Sequence, residues 1–440
     1  MDRTKLLEVV SEQNKELQTL ATSTVRECLN NVLQVLELPH ILAIIGMRRC
    51  GKSTLMRQIL QRAYNSSNQV YYLDFEDERL LDFTVDDFNL LYEVFIELFG
   101  ERHIFFFDEI QVVKKWETFV RRMYKSGNKF VISGSSADLL SSELSTKLTG
   151  RHISIELLPF SFREFLSFFH TNINLTKPIL TKERGLLKNA FNEFCASGGI
   201  PEYLQYKNPL IIKNIYENIL YKDVIVRYQI KAVKAIRELS LWLLSNPGSL
   251  ISYGKLKNIL QLGSVNTVKN YVYYLETAYL IFTVDKYSFS FGDQTLTQKK
   301  VYCVDTGFLE TIGFQFSKNI GKYLENIVYL ELRRRSLSNY TIYYYKTKNN
   351  LEVDFCLRTG RKISSLWQVS ENLNNDKTRE RELRALTEAM DELSLNESYI
   401  ITVDQNEDIK IGDKTIHCVP ILTWLVTIAF PDASVKGVES

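Results

Sequence analysis

The sequence predicts a multidomain α/β protein whose amino-terminal part is a parallel β-sheet with helical connections. The first observation is a series of short apolar runs separated by helical periodicity, the pattern of strands buried on both faces. The runs are Ile41–Ile45, Val70–Phe75, His103–Phe107, Phe130–Ser133 and His152–Glu156. The second observation is length, because 440 residues exceed one ordinary hydrophobic core. The third is a composition with 45% hydrophobic and 24% charged residues, which is typical of globular proteins.

The first run leads into a glycine-rich loop, "GMRRCGKS", which fits the pattern G-x-x-x-x-G-K-[ST]. With a strand before it and a helix after it, such a loop wraps the phosphates of a nucleoside triphosphate, whose charge the backbone N–H groups receive. We expect Lys52 to reach the β- and γ-phosphates and Ser53 to bind Mg²⁺. The predicted contacts to the nucleotide, ATP, are Gly46, Arg48, Arg49, Gly51, Lys52, Ser53 and Thr54.

The third run, in "HIFFFDEIQ", ends in two carboxylates, Asp108 and Glu109. Charges at the end of a strand buried on both faces are costly unless they meet a cation. We therefore expect Asp108 to hold Mg²⁺ and Glu109 to deprotonate the attacking water as general base. The fourth run ends in small hydroxyls. Ser133 or Ser135 could sense the γ-phosphate or hold the water, although serines at strand ends are also ordinary turn formers.

Arg151 is a further candidate, since it lies after a glycine and before the fifth run. It could act as an arginine finger, in cis or on a neighbouring subunit, although an exposed arginine can also be only a solvated charge. Arg163 is a second candidate for this role. The strand Val70–Phe75 lies, in chain order, between the loop strand and the Asp108 strand. Together with the Glu after the Asp, it favours an ATPase over a GTPase or a small-molecule kinase.

The chain contains, in order, "GMRRCGKSTLMRQIL", "FFFDEIQ", "ISGSSADLLSSELSTKLTGRHISIELLPFSFREF" and "SGGIPEYL". From about Leu38 to about Leu373 it resembles a large group of prokaryotic AAA+-type P-loop ATPases. In that group the C-terminal half is a restriction-endonuclease-like domain of unknown function. The site residues that the resemblance implies are Lys52, Ser53, Asp108, Glu109 and Arg151. The stretch Ser197–Pro201 matches a signature of the group, and its composition predicts a break between two helices.

In the middle of the chain, the periodicity of "AVKAIRELSLWLLS" predicts a helix. This helix ends at Asn246-Pro247-Gly248. Two shorter helices and apolar strand residues follow. The second of these helices has one apolar stripe, Val265, Val268, Val272 and Leu275, and an opposite face with Asn266, Lys269, Asn270 and Tyr273. This is the order of a winged helix, whose second helix can enter the major groove of double-stranded DNA. Winged helices also dock proteins, so both kinds of partner remain open.

The C-terminal part predicts the nuclease-like α/β domain, with a helix, a hairpin around Asn349-Asn350 and a third strand. In that fold a helix carries Glu, a strand carries Asp and the next strand carries Glu-x-Lys, so that carboxylates bind Mg²⁺ and Lys polarises the water. Glu325 and Asp354 match the first two positions. The third is occupied by Gln368 and Ser370, and neither can replace a carboxylate or an ammonium.

No sequence pattern places Lys322 or Lys362 at the missing position. We therefore predict a degenerate module that does not cut DNA, although its basic surface, including Arg333, Arg334 and Arg335, could bind DNA or protein. The alternatives are an active ATP-gated DNA endonuclease and a non-hydrolytic signalling scaffold. The sequence also leaves a homo-oligomer open.

Charge and cysteine distribution limit the other possibilities. The net charge of +2 does not by itself predict nucleic-acid binding, although residues 207–300 contain 13 Lys/Arg against 6 Asp/Glu and residues 321–362 contain 9 against 4. The six scattered cysteines are typical of free thiols in a reducing compartment. We find neither a signal peptide nor an apolar run long enough to span a membrane, so we expect a cytoplasmic protein without a membrane partner.

We divide the chain into five predicted segments. They are an ATPase domain with N-terminal helices (1–170), a helical lid or linker (171–230), a winged helix (231–315), a nuclease-like domain (316–420) and a tail (421–440).

Overall fold

The computed structural model describes residues 1–19, 23–64, 69–135, 148, 150–171, 181–290, 292, 297–314, 320–336 and 340–427. The chain forms two compact units. The first contains residues 1–158 together with 277–279, and the second contains residues 159–276 and 280–440. Residues 428–440 of the predicted tail lie outside the part of the chain that the structure describes.

The first unit alternates helices and strands, as the apolar runs predict. Its helices are α1 (Arg3–Thr19), α2 (Leu29–Leu36), α3 (Lys52–Tyr64), α4 (Phe88–Phe99) and α5 (Glu117–Lys125), with 3₁₀ turns at Glu78–Leu80, Val85–Asp87 and Ile110–Val112. Its strands are β1 (Ile41–Ile45), β2 (Tyr71–Asp74), β3 (Ile104–Asp108), β4 (Lys129–Gly134) and β5 (His152–Glu156).

All neighbouring strands of this sheet are parallel, in the order β2-β3-β4-β1-β5. The strands are apolar without alternation because helices cover both faces, and every residue of β1 is buried. On one face, an aromatic core that includes Phe88, Phe105 and Phe107 packs against α1 and α4. Parallel strands bring their carboxyl ends to one edge, and that edge is where the predicted nucleotide loop begins. The predicted parallel α/β fold is confirmed.

The second unit begins with helices. They are α6 (Phe162–Phe168), α7 (Thr181–Ser197), α8 (Pro201–Tyr206), α9 (Pro209–Asn218), a π-helical stretch (Ile219–Val226), α10 (Val233–Ser245), α11 (Tyr253–Ile259) and α12 (Val265–Thr277). The antiparallel strands β6 (Ile281–Val284) and β7 (Lys300–Cys303) follow, and then α13 (Thr306–Thr311) and α14 (Ile320–Arg335). In α12 the predicted stripe is buried except at Val265, which is about one-third exposed, and the predicted polar face is exposed.

The C-terminal part of this unit is a six-stranded mixed sheet in the order β12-β13-β11-β10-β9-β8. Its strands are β8 (Thr341–Lys346), β9 (Glu352–Thr359), β10 (Lys362–Val369), β11 (Glu397–Thr402), β12 (Glu407–Ile411) and β13 (Lys414–Pro420), with helices α15 (Asp376–Leu393) and α16 (Ile421–Val426). The predicted hairpin is confirmed as β8 and β9. Residues 421–426, assigned to the tail by sequence, instead form a helix that buries Ile421 and Trp424, because their apolar side chains pack against the sheet and α6.

The Ser197–Pro201 stretch separates helix α7 from helix α8, as predicted. It also surrounds a buried carboxylate. Asp305 accepts hydrogen bonds from the N–H groups of Gly199 (2.7 Å) and Gly307 (2.8 Å). A Cβ atom at Gly198 would lie 1.8 Å from Asp305 Oδ1, and one at Gly199 would lie 2.3 Å from the Phe160 carbonyl oxygen. Glycine is therefore required at both positions because the neighbouring groups leave no room for a side chain.

Among the described residues, no helix combines the length and the apolar character that crossing a membrane requires.

Candidate functional site

Three loops meet at the carboxyl edge of the parallel sheet. The glycine-rich loop follows β1, Asp108 and Glu109 lie at the end of β3, and Ser133 lies at the end of β4. In space β4 separates β1 from β3, so Ser133 lies between the two predicted motifs. The fold therefore brings together residues that are far apart in the chain.

Lys52 is buried at the centre of this edge. Its Nζ atom lies 3.2 Å and 3.1 Å from the carbonyl oxygens of Gly46 and Met47, and 3.0 Å from Glu109 Oε1. Burial lowers the pKa of the lysine, but Glu109, Cys50 and Asp108 together outweigh burial, and the net pKa is raised. Lys52 is therefore a permanently charged ammonium inside the loop.

The loop keeps its shape through close backbone contacts. A Cβ atom on Gly46 would lie 2.1 Å from the Leu157 carbonyl oxygen, so only glycine fits there. Arg26, which precedes α2, donates hydrogen bonds to the carbonyl oxygens of Cys50 (2.7 Å) and Leu158 (2.6 Å). Its guanidinium thus ties the loop to the segment after β5. Sequence reasoning missed Arg26, because a lone arginine before a helix has no motif of its own.

We predict that Arg26→Lys weakens ATP binding by about tenfold, since one ammonium cannot keep both planar hydrogen bonds. Titration with a fluorescent ATP analogue measures the effect. Arg62→Lys, an exposed change on α3, is the control. Equal affinities of the two variants would show that Arg26 does not shape the loop.

Asp108 and Ser133 form a buried pair. The Ser133 hydroxyl accepts a hydrogen bond from the Glu109 N–H (3.0 Å) and donates one to Asp108 Oδ1. Burial, followed by the neighbouring Glu109 charge, raises the pKa of Asp108, and the hydroxyls of Ser133 and Ser53 partly offset this. Asp108 Oδ2 is buried and has no hydrogen-bond partner among the described residues. An oxygen of this kind beside a serine hydroxyl fits a Mg²⁺ ligand set, because hard cations take carboxylate and hydroxyl oxygens.

Glu109 adopts a left-handed backbone conformation, with φ 47° and ψ 39°. Non-glycine residues rarely adopt it, and it is found repeatedly at functional sites. Burial raises the pKa of the Glu109 carboxyl, but Lys52 and a hydrogen bond from Gln111 outweigh burial, so that the pKa is lowered. Gln111 also donates to Ser135 Oγ (3.3 Å). Ser135 thus contacts the general-base candidate through Gln111, whereas Ser133 contacts Asp108 directly.

Asp74 adds a third carboxylate that sequence reasoning did not assign. It ends β2 and is paired in register with Asp108. Burial and the Asp108 charge raise the pKa of Asp74 to about 7. The Gln13 side chain bonds both backbone groups of Asp74 and so covers the edge of β2.

The remaining predicted residues lie in the loop and in the first turn of α3. Arg48 forms an ion pair with Glu76, after β2, and Arg49 has a positive φ of 61°. Ser53 and Thr54 lie in the first turn of α3, and both are partly exposed.

Arg151 is not beside these residues. It lies one residue before β5, level with the amino end of β1, and its carbonyl oxygen accepts the Ile41 N–H (2.9 Å). The loop begins six residues further along the strand direction, about 20 Å away at the rise of a β-strand. In this conformation Arg151 does not reach the loop, and its role as an arginine finger, in cis or on a neighbouring subunit, stays a prediction. Arg163, the second candidate, instead bonds Glu331 and the Leu425 carbonyl oxygen.

The C-terminal module holds a second cluster. Glu325 on α14 and Asp354 on β9 come together as predicted, but the cation between them is Lys300 of β7. Sequence reasoning considered Lys322 and Lys362 and missed Lys300, because no local pattern marks it. The Lys322 ammonium bonds Ser249 Oγ (2.9 Å).

Gln368 is part of this cluster and Ser370 is not. The Gln368 side chain accepts the Asp354 N–H (3.1 Å) and donates to Glu382 (2.7 Å). The Ser370 hydroxyl donates to the Asn372 carbonyl oxygen (3.0 Å). Gln368 therefore orients the strand that carries Asp354.

Comparison with protein families divides the chain into three parts. Residues 39–166 match the model of an AAA domain. Residues 188–318 and 320–424 match two models described as domains of unknown function, DUF8612 and DUF4143.

Two similar proteins are described only as uncharacterized. An uncharacterized protein of Methanocaldococcus jannaschii is 35% identical over 97% of this chain and 96% of its own length. An uncharacterized protein of Haemophilus influenzae is 31% identical over 78% of this chain and 86% of its own length.

Solved structures with detectable likeness have low identity. Orc1 of Aeropyrum pernix in complex with DNA has a TM-score of 0.33 at 15% identity, covering 69% of this chain and 93% of that one. Cdc6p of Pyrobaculum aerophilum has a TM-score of 0.27 at 12% identity, covering 71% and 97%. The family-model match and the near full-length relative agree with the loop geometry: the chain belongs to the AAA-type P-loop ATPases, and its C-terminal part consists of domains of unknown function.

Proposed function

We propose that the protein binds and hydrolyses Mg-ATP as a conformational switch coupled to a winged helix and a degenerate nuclease-like domain. One observation carries this proposal: Lys52, Glu109 and Asp108 converge at one sheet edge, where the buried Asp108 Oδ2 atom has no hydrogen-bond partner among the residues that the structure describes. This arrangement supplies a cation for phosphate, a base for water and an oxygen for a metal ion.

The chemistry follows from these groups. Ser53 and Asp108 would hold Mg²⁺, which neutralises charge on the β- and γ-phosphates. Phosphate oxygens would compete with Glu109 for the Lys52 ammonium. Once released from Lys52, the Glu109 carboxylate can accept a proton from water. The water oxygen then attacks the γ-phosphorus, and the bond between the γ-phosphorus and ADP breaks. Ser133 holds Asp108 in place throughout.

We propose double-stranded DNA as the partner of the middle module. The exposed face of α12 carries Lys269, Asn270 and Tyr273. Residues 248–251, which precede α11, pair with β7, and β7 pairs with β6, as in a wing. Amides and lysine on one helix face suit contacts with base edges and phosphates.

The arginines at the end of α14 support DNA binding less well. Arg334 bonds the carbonyl oxygens of Pro159 and Phe160, and Arg335 bonds Glu331 and the Trp424 carbonyl oxygen. These guanidinium groups are used within the second unit.

The decisive experiment is phosphate release by wild type, Lys52→Ala and the exposed control Lys114→Ala, each with and without duplex DNA. We expect Lys52→Ala to lower turnover at least 100-fold, because the loop lysine stabilises transition-state charge, and Lys114→Ala to match wild type. Stimulation by DNA that is lost in Lys269→Ala, but not in the control Lys410→Ala, would establish the DNA partner.

Other outcomes change the proposal. Turnover that needs Lys52 and ignores DNA would replace DNA with a protein partner. Tight ATP binding without turnover would favour the non-hydrolytic scaffold. Plasmid nicking in Mg²⁺ that requires Asp354 would favour the ATP-gated endonuclease.

A further inference from the structure

The acidic cluster of the C-terminal module is built around one buried lysine. The Lys300 Nζ atom lies 3.0 Å from Glu325 Oε1, 2.8 Å from Asp354 Oδ1 and 2.8 Å from Glu352 Oε1. Its side chain is 1% exposed. We propose that the Lys300 ammonium takes the place of the divalent cation of a nuclease, and that this lysine-centred cluster is a metal-free staple joining β7 to α14 and β9.

Hydrogen bonding supports this assignment. An ammonium has three N–H donors and no acceptor, and here three carboxylates from α14 and β9 surround it. Asp354 Oδ2 accepts the Val369 N–H (3.0 Å), so both Asp354 oxygens are engaged. Glu325 Oε1 also accepts from the Tyr302 hydroxyl (2.7 Å). Both Asp354 oxygens and Glu325 Oε1 are therefore already bonded to the protein.

Charge leads to the same conclusion. Lys300 and Lys346, the latter 3.6 Å from Glu352, face the three carboxylates. Gln368, at the position of the third nuclease carboxylate, is neutral. The cluster is thus close to charge balance with the groups of the chain, and a divalent ion would have to displace Lys300.

The backbone closes one side of the cluster. The N–H of Gly248 donates to the Val301 carbonyl oxygen (2.7 Å), which holds the loop after α10 against β7. A Cβ atom on Gly248 would lie 2.5 Å from Glu325 Oε2. The Gly248 backbone therefore lies against this Glu325 oxygen and closes that side of the cluster. A metal ion therefore does not fit these residues, and the cluster departs from the nuclease pattern in this respect. This inference does not depend on ATP turnover.

The first test measures Mn²⁺ binding to the full chain without nucleotide. Electron paramagnetic resonance detects the bound and free ions. The samples are wild type, Asp354→Asn and Asp108→Asn. We expect Asp354→Asn to bind as much Mn²⁺ as wild type, whether or not Asp108 contributes a weak site. Loss of a bound ion in Asp354→Asn would overturn the proposal, because it would place a metal ion in the cluster.

The second test uses Lys300→Met, with Lys346→Met as the matched control. Removing Lys300 leaves buried carboxylates unpaired, so we expect its unfolding temperature to fall by about 10 °C, against a small change for Lys346→Met. Millimolar Mn²⁺ should raise the unfolding temperature of Lys300→Met by more than it raises that of wild type. A Lys300→Met protein as stable as Lys346→Met would overturn the staple. If Lys300→Met does not fold at all, the Mn²⁺ comparison of wild type and Asp354→Asn still decides.

Discussion

Replacement of Glu109 by glutamine should lower steady-state ATP turnover by about 100- to 1,000-fold while ATP binding is kept, as expected for loss of a general base. The amide has the shape of the carboxylate but cannot accept a proton from water. It also removes the ion pair with Lys52, whose Nζ atom lies 3.0 Å from Glu109 Oε1. The freed ammonium is then available to phosphate, so affinity should be equal or higher. Phosphate release and titration with a fluorescent ATP analogue measure the two effects separately.

Glu101→Gln is the matched control, since Glu101 is an exposed glutamate that precedes β3. It should behave as wild type in both measurements. Unchanged turnover in Glu109→Gln would remove Glu109 from the mechanism. Much weaker ATP binding would instead make Glu109 a residue that supports the loop through Lys52.

Asp305→Ala should lower the free energy of unfolding of the second unit by about 2–5 kcal/mol, because it leaves the buried N–H groups of Gly199 and Gly307 without acceptors. Urea unfolding followed by tryptophan fluorescence measures the change. Asp413→Ala, at an exposed turn, is the control and should be close to neutral. A loss below about 1 kcal/mol would show that the turn at Gly199 finds other acceptors.

This cost should depend on pH. Burial raises the pKa of Asp305 to about 6, above its usual 3.8, despite the hydrogen bonds from Gly199 and Gly307. Between these two pKa values the folded state binds the Asp305 proton more tightly than the unfolded state. The stabilisation of the fold by protonated Asp305 is therefore complete below about pH 4 and is lost as pH rises through 6. The difference between wild type and Asp305→Ala should shrink over this range by at most about 3 kcal/mol. A difference independent of pH would mean that Asp305 titrates normally.

Much of the first unit follows from local sequence. Strands buried on both faces need uninterrupted apolar residues, and β1 was predicted with its observed bounds, Ile41–Ile45. The loop from Gly46 to Ser53 is contiguous, and its backbone shape depends on glycine. Asp108 and Glu109 stood out because charge after such a strand is costly, and the structure places them beside Lys52 and Ser133.

The positions of single side chains from distant segments did not follow from local sequence. Arg151 was predicted from its glycine neighbour, but parallel pairing with β1 puts it at the amino edge of the sheet. Arg26 reaches the Leu158 carbonyl oxygen across 132 residues of chain. Neither contact has a local periodicity that could reveal it.

The sequence by itself determined the strands, the nucleotide loop, the paired carboxylates and the absence of Glu-x-Lys at Gln368 and Ser370, because each depends on residue type within a short window. Only the tertiary structure decided which cation meets Glu325 and Asp354. Lys300 lies 25 and 54 residues from these partners in the chain, and they meet because β7, α14 and β9 pack together. A buried charge selects its partner by proximity in the folded protein, where low polarity makes an unpaired charge costly, and proximity of this kind is a property of packing.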